Sequence, residues 1–589
     1  MSRILTILGL LYSGLSFSQI QQQPTIIEAD PLNLPQRSVS SSYIVLDEND
    51  IQRRGATDLS QLLEGLSGVH FTQAGLHGNS SLFVRGTNSN SVLIVMDGIP
   101  LNDPTDISDR IDISYIPVEH LAKIEFFKGS LSSLYGSKAL GGVLVLTTKS
   151  ADNSYGIGVG SFGTGKLKIA FGRSLAKSSK LEFFGDLFHS DSLSSKGGRA
   201  PELEKDEVDR ANYIFRYWSQ SNRRDLQALA INSYYFSGID SSDPNDSLLN
   251  VKNHRNSLSL RWEEKFKYYQ LESIYSLTQV NRSSVFSSSF AELFYEGKYH
   301  QLSTYIHNLN PSSVLWSAGL GGDISEQKED SFSENSTRTK FLAGQLYHVE
   351  GNRPWSLGLR LDELEEYGQQ VTYRAQIATK LGPHRKVSFS LANAFKAPSL
   401  FQLYSSGSGN INLNPEEAVS VDLSYELRKP FINVNANVYR SWLEESIDFV
   451  SSRYENSGTA LITGFEFRIN HERPRFPFEM NLNYLDTKSS KTEKELVGRP
   501  DWTFNFDYKK NHIKNINSTI RFFYEGKRLD VSGDYLDPYL RLDAIFEKQL
   551  NQHSKVHLLI TNILGTSYEK VEGFTTAGRS FFLTYGSKF

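Results

Sequence analysis

Carboxylates and amides are the residue types in this chain that invite a chemical reading. Two acidic runs, EKDEVD and IDSSDPND, gather Glu204, Asp206, Asp209, Asp240, Asp243 and Asp246. Oxygen-rich clusters suit Ca2+, with Asp206, Asp209, Asp240 and Asp243 as candidate ligands. The spacing matches no fixed calcium loop, so solvated loop charge stands beside that reading. Two other stretches, TQAGLHGNS (72–80) and PLNDPTDISD (100–109), are rich in Gln, Asn, Asp and small residues. In them Gln73, His77, Asn79, Asn102, Asp103 and Asp106 can hydrogen-bond a polar ligand. His77 could also ligate a metal or haem, although a lone loop histidine is more often polar surface. No stretch assembles a nucleophile, a base and an oxyanion site, so enzymatic activity is not expected. The chain has no cysteine, which excludes disulfides, thiol catalysis and Cys-ligated zinc or iron–sulfur centres.

These residues must be positioned by something large. The chain has 589 residues and a formal net charge of -4, which gives no basic footprint for nucleic acid. It begins MSRILTILGLLYSGLSFSQIQQQ. Arg3, the apolar run to Leu15 and the small-x-small site Ser16-Phe17-Ser18 predict a signal peptide over residues 1–18. The apolar run is too short for a membrane helix, and no later segment approaches the ~18 apolar residues one needs. A retained anchor is the alternative. An exported chain of this kind is either soluble or a β-barrel.

From about residue 150 to 589 the pattern has period two. In VDLSYEL, Val421, Leu423, Tyr425 and Leu427 share one face, with Asp422, Ser424 and Glu426 on the other. GFEFRIN sets Phe465, Phe467 and Ile469 opposite Glu466, Arg468 and Asn470, and FPFEMNLNY aligns Phe478, Met480, Leu482 and Tyr484. Long strands with one apolar and one polar face fit lipid outside and water inside; a soluble sandwich would have shorter strands. Short turns such as RKP alternate with long polar connections. The final stretch RSFFLTYGSKF alternates again, as a closing strand must. The length predicts an all-β membrane protein with a 22-stranded antiparallel barrel, whose wide lumen must be plugged. Residues 36–148 have a different, α+β texture. FVRGTNSNSVLIVMDGIPLND holds the apolar run Val92–Met96, a buried strand ending at the turn pair Asp97-Gly98. Upstream, a strand over 43–46 precedes two short helices, capped by Asp47 or Asn49 and by Thr57 or Asp58. This unit is either a periplasmic domain beside the pore or a plug inside it.

Several stretches together resemble one family. LFVRGTNSNSVLIVMDGIPLND and KIEFFKGSLSSLYGSKALGGVLVLTT are similar to the plug of TonB-dependent outer-membrane receptors. FKAPSLFQLYSSGSGNINLNPEE, YENSGTALITGFEF and LLITNILGTSY resemble that family's barrel motifs, and Phe589 matches its terminal residue. The resemblance spans nearly the whole chain and is strongest to the vitamin B12 transporters within the family. It implies a plug within the lumen and a place in the outer membrane of a Gram-negative cell, in contact with outer-membrane lipid. The leader 19–35 carries TIIEA: Thr25, Ile26, Ile27, Glu28 and Ala29 resemble the TonB box, and β-branched residues in an extended segment suit strand addition to a partner. Energy would arrive from the TonB–ExbB–ExbD complex. The ligand would be a cobalamin-type molecule passed on to a periplasmic binding protein, with no cofactor required beyond possible Ca2+ in the outer loops. Arg85 and Lys128 would lock the plug against Asp422 and Glu466, each pair contributing modestly in a water-filled lumen. A ferric-siderophore receptor of the same family is the alternative. Haem is disfavoured because SSGSGNINLNPEE has no histidine, and a passive porin or adhesin would need neither plug nor TonB box.

Overall fold

The computed structural model describes residues 42–194, 205–239, 249–285, 292–309, 314–329, 334–512, 515–574 and 576–589. Strand β1 (Tyr43–Asp47) runs into helix α1 (Glu48–Arg54). Asp47 caps it: its carboxylate accepts from the Asp50 N–H at 2.9 Å, and Asp50 accepts from the Asp47 N–H at 3.4 Å. This reciprocal pair satisfies two donors that a helix start leaves open. Gly55, in the left-handed region at φ 63°, ends the helix. Helix α2 (Leu59–Leu63) begins at Asp58, which accepts from the Gln61 N–H at 3.1 Å.

Strands β2 (Val69–Gln73) and β3 (Ser80–Val84) form a hairpin. Strands β4 (Val92–Met96), β5 (Ile99–Pro100), β6 (Leu121–Lys128) and β7 (Gly142–Thr148) join β1 in one sheet, in the order β1-β6-β7-β4-β5. Helix α3 (Ser132–Tyr135) connects β6 to β7. Strand β4 lies inside the sheet, parallel to β7, and all five of its residues are buried. That placement explains why its sequence is a continuous apolar run rather than an alternation. Asp97 and Gly98 have φ of 47° and 88°, the positive values that a tight hairpin turn requires. The Asp97 carboxylate also accepts from the Thr148 N–H at 3.0 Å and its hydroxyl at 2.5 Å, tying the ends of β4 and β7 together. Leu59, Leu62 and Leu63 pack with Ile94, Phe126, Leu144 and Leu146 in the core of this domain.

From Ser154 onward, 22 antiparallel strands form a closed barrel. The last strand, Ser580–Lys588, pairs with the first, Ser154–Gly160, so no strand edge is left open. Leu423, Val438 and Phe581 are about half exposed on the outside, while Arg541, Glu466 and Asn481 are buried inside. No helix among the described residues is long and apolar enough to cross a membrane; the strands cross instead. One rim carries both barrel ends and short connections such as 430–431, and the other carries long ones such as 397–415 and 562–579. Helix α4 (Leu400–Tyr404) and a hairpin of Ile447–Val450 with Arg453–Asn456 stand in the long-loop rim.

The N-terminal domain sits in the lumen. Its residues bond to strands spread around the wall: Arg54 to Glu479, Arg85 to Asp422, Glu64 to Arg541, Glu119 to Lys166, and the Leu134 carbonyl to Arg360.

Candidate functional site

Arg85 directly follows β3 in a left-handed backbone conformation, φ 51°. That aims its side chain at the barrel. Its Nε donates to Glu466 Oε1 at 2.8 Å, its Nη2 to Glu466 Oε2 at 3.3 Å, and its Nη1 to Asp422. The guanidinium also lies over the Tyr439 ring, 4.3 Å from its centre. Lys128, at the end of β6, donates to Glu466 Oε2 at 2.6 Å and to the Ser67 carbonyl at 3.0 Å. The structure thus brings Arg85, Lys128, Asp422 and Glu466 together. The water-filled setting expected for them is absent at this point, because the Arg85, Lys128 and Glu466 side chains are at most 4% exposed. Burial lowers the Lys128 pKa to about 8, with Glu466 pulling it up and Arg85 pushing it down. Burial also works against the Arg85 charge, but Asp422 and Glu466 more than offset it and raise its pKa.

Two further ion clusters join plug to barrel. Arg541 donates to Glu64, and Lys570 donates to it at 2.9 Å. Burial opposes the Glu64 charge, yet these two cations hold its pKa well below the usual carboxylate range. Arg54 pairs with Glu479 at 3.3 Å, and Glu479 also receives Arg468 and Lys509. Strand parity already puts Glu479 on the inner face, but nothing local in the sequence names partners 425 positions away.

The second feature is a cavity of about 320 Å³ under the long-loop rim. Asn79, Asp103, Asp106, Arg110, Asp112 and Tyr115 line it from the plug, and Tyr235, Asn253 and Arg282 from the barrel. Tyr115 and Tyr235 stack with ring centres 3.5 Å apart. Phe574 reaches the cavity from connection 562–579. Asp106 Oδ1 accepts from the Ser108 and Arg110 N–H groups at 3.1 and 3.2 Å, and its carboxylate pairs with Arg110 at 3.6 Å and Arg282 at 3.9 Å. Asp103 accepts from the Thr105 N–H at 2.9 Å, its hydroxyl at 2.6 Å and Asn253 Nδ2 at 2.8 Å. Its lone pairs therefore fasten the loop to itself and to the barrel. Burial raises the pKa of Asp112, against the hydrogen bonds from Ser80 and Ser114.

Three of the ligand candidates do not line this cavity. Asn102 is buried, and its Nδ2 donates to the Asp109 carbonyl at 3.0 Å. It therefore shapes the loop. Gln73 and His77 line a neighbouring crevice of about 150 Å³. The His77 ring stands edge-on to Phe188, 5.3 Å away. Burial, with Arg210 nearby, lowers its pKa to about 4, and Asp58 offsets only part of this. Arg110, Tyr115, Tyr235, Asn253 and Arg282 carry no local signal in the sequence, because loop closure in the fold is what makes them neighbours.

Among the acidic candidates, Asp206 is buried against Gly238 and Asp209 bonds to His189 Nδ1 at 2.8 Å. Asp240 and Asp243, like Glu204 and Asp246, lie outside the described residues, as do Thr25, Ile26, Ile27, Glu28 and Ala29. Among the described residues no group of three or more His, Asp or Glu could hold a metal ion.

The family model "TonB-dependent Receptor Plug Domain" matches residues 35–143, and "TonB dependent receptor-like, beta-barrel" matches residues 177–563. The chain is 27% identical over 607 residues to a protein named vitamin B12 transporter BtuB from Vibrio cholerae serotype O1, covering 96% of each. The siderophore receptor PirA of Acinetobacter baumannii superposes with a TM-score of 0.81 at 16% identity, over 94% of this chain and 99% of that one. The FrpB iron transporter of Neisseria meningitidis superposes with a TM-score of 0.81 at 13% identity, over 94% and 100%. With a matching plug inside a closed 22-stranded barrel and a barrel model that covers well over half its length, the chain belongs to the TonB-dependent receptor family of the outer membrane.

Proposed function

We propose that this receptor takes up cobalamin or a related corrinoid across the outer membrane, driven by TonB. The observation that carries the ligand reading is the charge state of the outer cavity. Three carboxylates, Asp103, Asp106 and Asp112, face two guanidinium groups, Arg110 and Arg282, and both of these pair with Asp106. A cavity with no surplus of cations among its described lining residues favours a neutral, amide-bearing ligand over an anionic one. Kinship with a protein named as a vitamin B12 transporter, across 96% of both chains, supports the same reading. Coupling would run through residues 25–29 to the TonB–ExbB–ExbD complex, and a periplasmic binding protein would receive the ligand. Any Ca2+ would be held at the long-loop rim by Asp206, Asp209, Asp240 and Asp243. Nothing in this reading asks for catalysis.

A second reading, uptake of a ferric siderophore, rests on a specific feature. Among the described residues, the Nε atoms of Arg110 and Arg282 are buried and have no hydrogen-bond partner, so an anionic ligand that reaches them could use them. The test is binding of cyanocobalamin and a panel of ferric siderophores to the purified, detergent-solubilised chain, with and without Ca2+. Submicromolar cobalamin binding is expected. Submicromolar siderophore binding with no detectable cobalamin binding would replace the first reading by the second.

A further inference from the structure

The two rims of the barrel carry opposite charge. The ten connections at the short-turn rim contain seven Lys or Arg and two Asp or Glu. The eleven connections at the long-loop rim contain eleven Lys or Arg and twenty-four Asp or Glu. The chain as a whole has a formal net charge of only -4, so this asymmetry is one of position.

The short-turn rim repeats a finer pattern on its outer face. Six strands place an exposed cation there, two residues beyond an outward apolar residue. Arg173 follows Phe171, Arg224 follows Leu226, Arg385 follows Val387, Lys429 follows Leu427, Lys510 follows Tyr508 and Lys548 follows Phe546. Residues two apart on a strand share a face, so these cations stand on the membrane side of the wall, just past the apolar band. Arg224 pairs with Glu264 at 3.2 Å. The other five carry no ion pair among the described residues. Exposed aromatics mark the same level: Tyr268, Tyr269, Trp316, Trp355, Phe476 and Phe589. Aromatic rings settle at the membrane–water interface, so the cations reach headgroup depth.

We propose that this rim is a collar that binds anionic phospholipid headgroups of the periplasmic leaflet. Long Arg and Lys side chains lay their stems along apolar surface and present their charge to phosphate. Their direction argues for lipid over a soluble protein, because they point out of the barrel wall and not along its axis. An acidic long-loop rim at the opposite end would make the preference one-sided.

The test uses the full chain with Trp442→Phe and Trp502→Phe, so that the remaining outward tryptophans, Trp262, Trp316 and Trp355, report from the collar. It is reconstituted into phosphatidylethanolamine vesicles containing brominated phosphatidylglycerol or brominated phosphatidylcholine, and quenching is compared. The anionic lipid should associate roughly three- to five-fold more strongly, and the ratio should fall in about 0.5 M salt. Replacing Arg385, Lys429, Lys510 and Lys548 by Gln should bring it close to one. Lys298→Gln with Lys340→Gln, outward-facing toward the other rim, should leave it unchanged. If the four-site variant does not fold, the Arg385/Lys429 and Lys510/Lys548 pairs tested separately should each lower the ratio. Equal quenching by both lipids, or a preference that survives loss of the collar, overturns the proposal. So does capture of an acidic soluble protein by a rim that shows no lipid preference.

Discussion

Arg85 and Glu466 stand 381 positions apart in the chain and meet through two hydrogen bonds, Nε to Oε1 and Nη2 to Oε2, in a buried setting. One belongs to the plug and the other to the barrel wall, so their contact is a joint between the two domains. Arg85→Ala would leave Glu466 with Lys128 and take from Asp422 the guanidinium it pairs with. Stranding one member of a buried pair costs about 3–5 kcal/mol. The variant should keep its barrel while the plug loosens, read as faster hydrogen exchange across residues 42–148 and earlier protease cleavage there. Arg85→Lys should fall between, since an ammonium cannot supply the two-pronged contact. Unchanged exchange in Arg85→Ala would show that the joint does not hold the plug.

Two plug histidines, the half-buried His77 and the buried His120, should give plug stability a pH dependence. Burial lowers the pKa of His77 to about 4 and of His120 to about 3. In the unfolded chain both take up a proton near the ordinary value of about 6.5. Between that value and the folded ones the unfolded chain binds more protons, so plug stability falls as pH drops. It should be full above about pH 6.5 and decline toward pH 3. Replacing His77 by Phe and His120 by Met should flatten the decline, measured by hydrogen exchange of plug amides at several pH values.

How much of this was legible depended on the distance over which each pattern acts. Strand β4 could be read because five apolar residues in a row followed by Asp97-Gly98 is a local statement. The caps at Asp47 and Asp58 were readable for the same reason. Strand parity put Asp422 and Glu466 inside the lumen without naming any partner, and the resemblance to a family supplied Arg85 and Lys128. The Glu64–Arg541–Lys570 cluster had no such help. It depends on where a plug helix lands against the wall 477 positions later. Asn102 and Asp103 were readable as polar but not as occupied, because their hydrogen-bond capacity is used within the loop and against Asn253.

The segment 25–29 offers a test of coupling that is separate from binding. Strand addition needs backbone N–H donors, and proline has none. Ile26→Pro or Ile27→Pro should abolish energised uptake in cells while ligand binding to the purified protein stays within about two-fold, a difference below 0.5 kcal/mol. Normal uptake in both variants would rule the segment out as the coupling element.

Asp106 decides whether the outer cavity can be turned toward anions. Its carboxylate is the shared partner of Arg110 and Arg282, at 3.6 and 3.9 Å. Its loop-shaping role is separate, because Oδ1 accepts from the Ser108 and Arg110 N–H groups. Asparagine keeps an oxygen for those bonds and removes the charge. Asp106→Asn therefore leaves the loop in place, frees two guanidinium groups and shifts the cavity one unit positive. A neutral, amide-bearing ligand gains or loses little from that shift, and cobalamin binding should change by less than about three-fold, under 1 kcal/mol. An anionic ferric siderophore should bind about ten-fold more tightly, the gain expected from a charge-assisted pair in a partly desolvated site. The enhancement should shrink at high salt, since each guanidinium remains partly accessible to counter-ions. Binding isotherms for both ligands at two salt concentrations would measure this. A collapse of cobalamin affinity with no change for the siderophore would mean that Asp106 contacts the ligand directly, and that the cavity recognises its ligand through this carboxylate rather than by lacking a cationic surplus.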